Sequence, residues 1–203
     1  MAEATATGVA PIPFTVLGGF LGAGKTTLLN RWLAAAAGLR IAVLVNDFGA
    51  INIDAGLVAQ AGSDSIALSN GCVCCAIGDD LTAALGRVLQ AQPAFDAVVV
   101  EASGVSDPWR IAQYALAEPQ LQLQAVLLLV DAAALAQHLA DPLLTDTLTR
   151  PLAHADLVLL NHADRASAAE LQAAQAWVRA DAQRRGQTAP PITATTQADV
   201  PLA

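Results

Sequence analysis

Gly19-Phe20-Leu21-Gly22-Ala23-Gly24-Lys25-Thr26 satisfies the phosphate-binding pattern G-x-x-x-x-G-K-[ST] at every fixed position. Lys25 is the only lysine among 203 residues; the other nine basic residues are arginines. A compact ammonium is thus kept where a point charge must reach β- and γ-phosphates, a task that a guanidinium fork performs poorly. Gly22, Ala23 and Gly24 offer backbone N–H groups to phosphate oxygens, and the Thr26 hydroxyl suits Mg²⁺. Thr27 can reach the α-phosphate or simply start a helix. A glycine-rich strand-to-helix turn is the plain alternative. The spacing implies a site for a nucleoside triphosphate.

Such a site needs a carboxylate at the end of a neighbouring strand. Asp96-Ala97-Val98-Val99-Val100-Glu101 ends in one, and Ala102-Ser103-Gly104 follows. Glu101 would hold Mg²⁺ directly or through water, and the Gly104 N–H would approach the γ-phosphate. Alone, Glu101 would read as a solvated strand end. Base identity points to Leu157-Val158-Leu159-Leu160-Asn161-His162-Ala163-Asp164, which has the N-x-x-D spacing of a guanine reader. Asp164 can accept from guanine N1–H and N2–H₂, donors that adenine lacks. Asn161 would tie neighbouring loops together. His162 replaces the usual lysine of N-K-x-D; an imidazole can stack on the base but has less reach.

A different chemistry is written in Ser69-Asn70-Gly71-Cys72-Val73-Cys74-Cys75, which holds all three cysteines. With no distant partner for a disulfide framework, metal ligation and reduced thiols fit better. In extended backbone Cys72 and Cys74 share a side, and a turn at Cys75 would bring a third thiolate. Three soft ligands suit Zn²⁺, Co²⁺ or Cu⁺, with a fourth from Asp47, water or a partner. The other reading is three small buried apolar residues. Asn46-Asp47-Phe48-Gly49 stands where a switch segment would, so Asp47 could sense Mg²⁺, an attacking water or the thiolate metal; a simple Asp-Gly turn is equally consistent.

The elements that must position these groups alternate along the chain. Strands are expected at Ile12–Leu17, Ile41–Val45, Ser65–Leu68, Ala97–Val100, Ala125–Val130, Leu157–Leu160 and Ile192–Thr195. Helices are expected at Lys25–Ala37, Asp79–Ala91, Pro108–Leu116, Ala132–Leu139, Leu143–Ala153 and Ala168–Arg185. Continuous apolar strands alternating with helices predict an α/β fold: a three-layer P-loop NTPase domain with a mostly parallel central sheet flanked by helices. Residues 1–11 read as a flexible tail and 12–203 as the domain. With 55 % apolar residues and only 4 % aromatic, the core must be Leu, Val, Ile and Ala. A net charge of −8 argues against a nucleic-acid partner and requires positive potential to be arranged locally. No signal peptide or spanning segment is visible, which with the thiols predicts a cytoplasmic protein and no membrane partner.

Taken together, GGFLGAGKTTLLN, VNDFG, GCVCC, VVVEASGVSDP and LLNHAD resemble the CobW-like P-loop GTPases, a metallochaperone family related to the UreG and HypB accessory GTPases. The match runs in order from about residue 14 to 164, and G-C-x-C-C after a phosphate loop is its specific part. The resemblance implies slow hydrolysis of GTP to GDP, coupled to delivery of Zn²⁺ or Co²⁺ to a client metalloprotein. In that reading Cys72, Cys74 and Cys75 carry the metal, Lys25, Asp47 and Glu101 serve catalysis, and a homodimer is conceivable. Asp47 stands where the family often has Glu. Family members usually continue into a C-terminal domain that this sequence lacks, so it reads as a truncated GTPase domain or a short member. Two other readings compete: a nucleotide-binding module with a permanent structural zinc, and a P-loop small-molecule kinase. The kinase needs an arginine-bearing lid, yet only Arg110 and Arg150 lie between Glu101 and Asn161.

Overall fold

The computed structural model describes residues 10–36, 38–45 and 81–201, together with the backbone of 58–61, 65–68 and 73–76. Among the described residues nine strands form one sheet: β1 (Ile12–Gly19), β2 (Ile41–Val45), β3 (Val58–Ala61), β4 (Ser65–Leu68), β5 (Val73–Ala76), β6 (Ala97–Glu101), β7 (Leu121–Asp131), β8 (Leu157–Asn161) and β9 (Ile192–Ala194). Their order is β3-β4-β5-β2-β6-β1-β7-β8-β9. From β5 to β9 every pairing is parallel, while β3 and β4 extend the sheet by antiparallel pairing. The helices are α1 (Lys25–Ala35), α2 (Leu81–Gln90), α3 (Pro108–Ala117), α4 (Leu135–Leu139), α5 (Thr145–Thr149) and α6 (Ala168–Arg184). This is the α/β architecture expected from the alternating apolar runs.

Strand residues of period two separate the two faces of the sheet. On one face Leu17, Val43, Val99, Leu129 and Leu159 pack with Leu29, Trp32 and Leu33 of α1. On the other, Phe14, Val16, Leu44, Val98, Val100 and Val126 pack with Leu85, Val88 and Ile111 of α2 and α3. Leu128, Val130, Val158 and Leu160 continue that face under Leu135, Ala174 and Val178 of α4 and α6. Branched aliphatics on both faces of the central strands leave no polar face, which is why those strands read as continuous apolar runs.

Several boundaries differ from expectation for local reasons. The helix expected over Leu143–Ala153 is instead α5 followed by a 3₁₀ turn, Arg150–His154, because Pro151 lacks the N–H that an α-helical ladder requires. The helix expected from Ala132 begins at Leu135, since Asp131 Oδ1 accepts from Ala133 N at 3.0 Å and Ala134 N at 3.1 Å and holds a turn there. β7 starts four residues early, where Gln122 and Gln124 are exposed between more covered neighbours. β3 and β5 were not foreseen; both are four-residue strands held by neighbouring edges.

Helix α6 carries a full capping box: Ser167 Oγ accepts from Glu170 N at 3.2 Å, and Glu170 Oε2 accepts from Ser167 N at 2.7 Å. The Ser167 backbone N–H, then its hydroxyl, holds the Glu170 carboxyl below its ordinary value of 4.5. A depressed carboxyl contributes stability that is present above the unfolded value and fades as pH falls through the folded one. Ser167→Ala should therefore cost about 1 kcal/mol at neutral pH. In parallel thermal melts, the deficit of Glu170→Gln relative to the parent should shrink as pH drops below about 4.5. A deficit that grew in acid would contradict the capping assignment.

Candidate functional site

The phosphate-loop residues lie between the end of β1, at the centre of the sheet, and α1. Parallel strands present their carboxyl ends on one rim, and Glu101 of β6, Asp131 of β7 and Asn161 of β8 end on that same rim. Unlike α3 and α6, helix α1 begins without a capping side chain, and its first turn holds no acidic residue. The positive end of its dipole there favours an anion.

Lys25 is 7 % exposed, and its ammonium donates to Gly19 O at 2.8 Å and Phe20 O at 3.4 Å, across the mouth of the loop. Gly24 takes φ +101°, and any Cβ there would run into the Asn161 carboxamide. Only glycine satisfies both demands. Thr26 Oγ1 donates to Glu101 at 3.0 and 3.3 Å from its two carboxylate oxygens, and Glu101 is 5 % exposed. A hydroxyl and a carboxylate brought together at a phosphate loop are hard oxygen donors, which fits Mg²⁺. Gly104 approaches the loop so closely that a Cβ would lie 2.8 Å from Leu21 N, so only a bare backbone can occupy this place. Thr27 is exposed on the first turn of α1.

On the other side of the loop, Asn161 is fully buried. Its Nδ2 donates to Ala23 O at 2.9 Å, and its Oδ1 accepts from Ala198 N at 2.8 Å. His162 follows in a left-handed conformation, φ +60°, with Nε2 3.1 Å from Gly22 O. A carbonyl only accepts, so Nε2 carries the hydrogen in this arrangement. Asp131 Oδ2 lies 3.9 Å from the same nitrogen and 3.5 Å from Arg165 Nη2. The imidazole thus reaches the phosphate loop despite being shorter than the lysine expected at its place. Asp164 is exposed in the same turn.

Cys72 and Asp47 lie outside the described residues. Cys74 and Cys75 lie within β5, in register with Val43 and Leu44 of β2 and with Ile66 and Ser65 of β4. Strand stands where a turn could have formed at Cys75, because residues 73–75 are paired on both edges. Two contributors escaped the sequence reading. Asp131 could have been found as a strand-end carboxylate like Glu101. Ala198 acts through its backbone N–H, which leaves no signal in residue type.

Comparison with known proteins gives a consistent placement. Residues 13–189 match the family described as CobW/HypB/UreG, nucleotide-binding domain. The chain is 32 % identical to the zinc chaperone CobW of Pseudomonas aeruginosa, over 96 % of its own length and 59 % of that protein's. It is 36 % identical to the zinc chaperone YjiA of Escherichia coli over 79 % of its length and 52 % of YjiA's. With zinc-regulated GTPase metalloprotein activator 1 of Schizosaccharomyces pombe it shares 33 % identity, covering 79 % of the chain and 41 % of the relative. The crystal structure of Zn(II)-bound YjiA GTPase superposes with a TM-score of 0.68 and 30 % identity, covering 96 % of this chain and 60 % of that one. The chain thus spans about half the length of the curated relatives it matches. It belongs to the CobW/HypB/UreG family and carries that family's nucleotide-binding domain.

Proposed function

We propose that the chain is a GTPase metallochaperone: it hydrolyses GTP to GDP and phosphate, binds Zn²⁺ or Co²⁺ through thiolates of the Cys72–Cys75 segment, and releases that metal to a client metalloprotein according to nucleotide state. The observation that carries this reading is the conjunction of an uncapped α1, the buried Lys25 and the Thr26–Glu101 pair at one end of β1. The relatives' names, zinc chaperone and zinc-regulated GTPase, support the metal and the nucleotide.

In this mechanism Lys25 and the first-turn amides of α1 bind the β- and γ-phosphates. Thr26 and Glu101 would hold Mg²⁺, which would supply positive charge against the phosphates. Water attacks the γ-phosphorus as its bond to the β-phosphate oxygen breaks, and the water's proton leaves with the phosphate. Gly104 brings its N–H to the γ-phosphate, and Asp47 orients the water. Asp164 reads guanine, while His162 and Asn161 hold the base-binding turn against the phosphate loop. Loss of the γ-phosphate removes the contact at Gly104, and the segment carrying Asp47 relaxes.

Strand order supports a short route to the cysteines. β5, β2, β6 and β1 are consecutive neighbours, so the strand bearing Cys74 and Cys75 lies two strands from that of Glu101. At the usual spacing of about 4.8 Å per strand, that is roughly 10 Å. β2 lies between them and ends at Val45, two positions before Asp47 in the sequence.

Lys25→Ala should weaken GTP binding at least about 100-fold, whereas Glu101→Gln should keep GTP and lose about 100-fold in turnover. Calorimetric titration and single-turnover phosphate release measure the two. A Lys25→Ala protein that bound GTP like the parent would contradict the site. Removing one thiolate from the set with Cys74→Ser should weaken zinc binding at least about tenfold in a chromophoric-chelator competition. Unchanged zinc affinity would place the metal elsewhere.

A further inference from the structure

The stretch Thr195–Val200 follows β9 and has no part in the reading above beyond the Ala198 N–H. Gln197 and Ala198 both adopt φ +53°, a left-handed conformation that L-residues take only when their surroundings over-determine it. The surroundings do so here. Ala198 has no solvent exposure. Thr195 Oγ1 donates to Asp199 O at 3.3 Å, and Asp199 N donates to Thr196 O at 3.1 Å. Further constraints come from α1. Trp32 Nε1 donates to Val200 O at 3.1 Å, Arg31 Nη2 donates to Gln197 Oε1 at 3.0 Å, and Arg31 Nη1 pairs with Asp199 Oδ1 at 3.1 Å. The Trp32 ring is 4 % exposed, whereas the Arg31–Asp199 pair is largely solvated and contributes less.

We infer that Trp32, assisted by Arg31, is a positioning residue for base recognition: it latches the strained 197–200 segment to α1 and thereby sets where the guanine-reading turn stands relative to the phosphates. The connection is continuous. The segment fixes the base turn twice, through Ala198 N to Asn161 Oδ1 at 2.8 Å and through Ala163 N to Thr195 O at 3.1 Å. Asp164 lies next in that turn. At its other end the same segment is held by Trp32, seven residues along the helix that begins with Lys25. One rigid helix therefore carries both the phosphate lysine and the anchor of the base reader. With the latch released, the phosphate contacts remain while the turn bearing Asp164 gains freedom, so guanine affinity falls and discrimination falls with it.

The inference rests on the proposed guanine-nucleotide reading, and the test separates the two. Trp32→Phe removes the indole N–H and keeps an aromatic ring. Trp32→Ala is avoided because Trp32 already lines a cavity of about 160 Å³ with Thr15, Ala97 and Val99. Dissociation constants for GDP and ADP are measured in the parent, in Trp32→Phe, and in Trp32→Phe combined with Arg31→Gln, beside thermal melts without nucleotide. The latch predicts that GDP binding weakens about fivefold in Trp32→Phe and about tenfold in the pair, the loss expected for one or two hydrogen bonds. ADP binding should stay within about twofold, so the GDP-to-ADP preference falls by the same factor. GDP affinity and preference unchanged in both variants would overturn the latch. So would a parallel loss for GDP and ADP, which marks a general structural role that the melts would also report. A parent protein that binds neither nucleotide removes the underlying reading and the latch with it; a parent that binds GDP with unaltered variants removes the latch alone.

Discussion

The carboxamide of Asn161 is the joint on which the described site depends. Fully buried at the end of β8, it donates to the phosphate loop at Ala23 and accepts from Ala198, so three chain segments far apart in sequence share one side chain. An amide is suited to this because it offers donor and acceptor on one rigid plane. An unsatisfied amide in that dry position would be costly, which locks all three segments into a single arrangement. Gly24 completes the constraint, since a side chain there would displace the carboxamide. The phosphate loop is thus shaped from the base side as well as from β1.

Charge explains why the arrangement has to be so local. With a net charge of −8, the molecule as a whole repels a polyanion. Attraction must come from groups within a few ångströms: one ammonium turned across the loop and the helix dipole of α1. The Glu101 carboxylate beside Thr26 would oppose a phosphate unless a divalent cation lay between them. That opposition is why the pair suits a divalent cation better than the nucleotide itself.

Much of this was legible in the residues. Strands bearing Val and Ile on both faces, and a loop with fixed glycines, announce themselves because burial and backbone geometry restrict which residue types can serve. The misses have the same kind of cause. Pro151 interrupted a helix whose apolar pattern ran on, and Asp131 turned a helix start into a capped turn. β3 and β5 are short and held by pairing, which periodicity over four residues does not register. Ala198 works through its backbone, so no side-chain pattern could have pointed to it. His162 is the reverse case: it departs from the lysine of the guanine motif, yet geometry gives it a contact with Gly22 that a reach argument alone would have denied it.

The sheet places the cysteine strand β5 two strands from β6, which carries Glu101, and the account stands or falls on whether the two sites exchange free energy. Because coupling is reciprocal, nucleotide state must alter metal affinity by the factor with which metal alters nucleotide affinity. The most direct measurement is a competition titration of Zn²⁺ into the protein saturated with Mg²⁺ and a non-hydrolysable GTP analogue, set against the same titration with GDP. The account predicts zinc binding at least about fivefold tighter in the triphosphate state, the lower end of ordinary allosteric coupling. Equal affinities in the two states would contradict it.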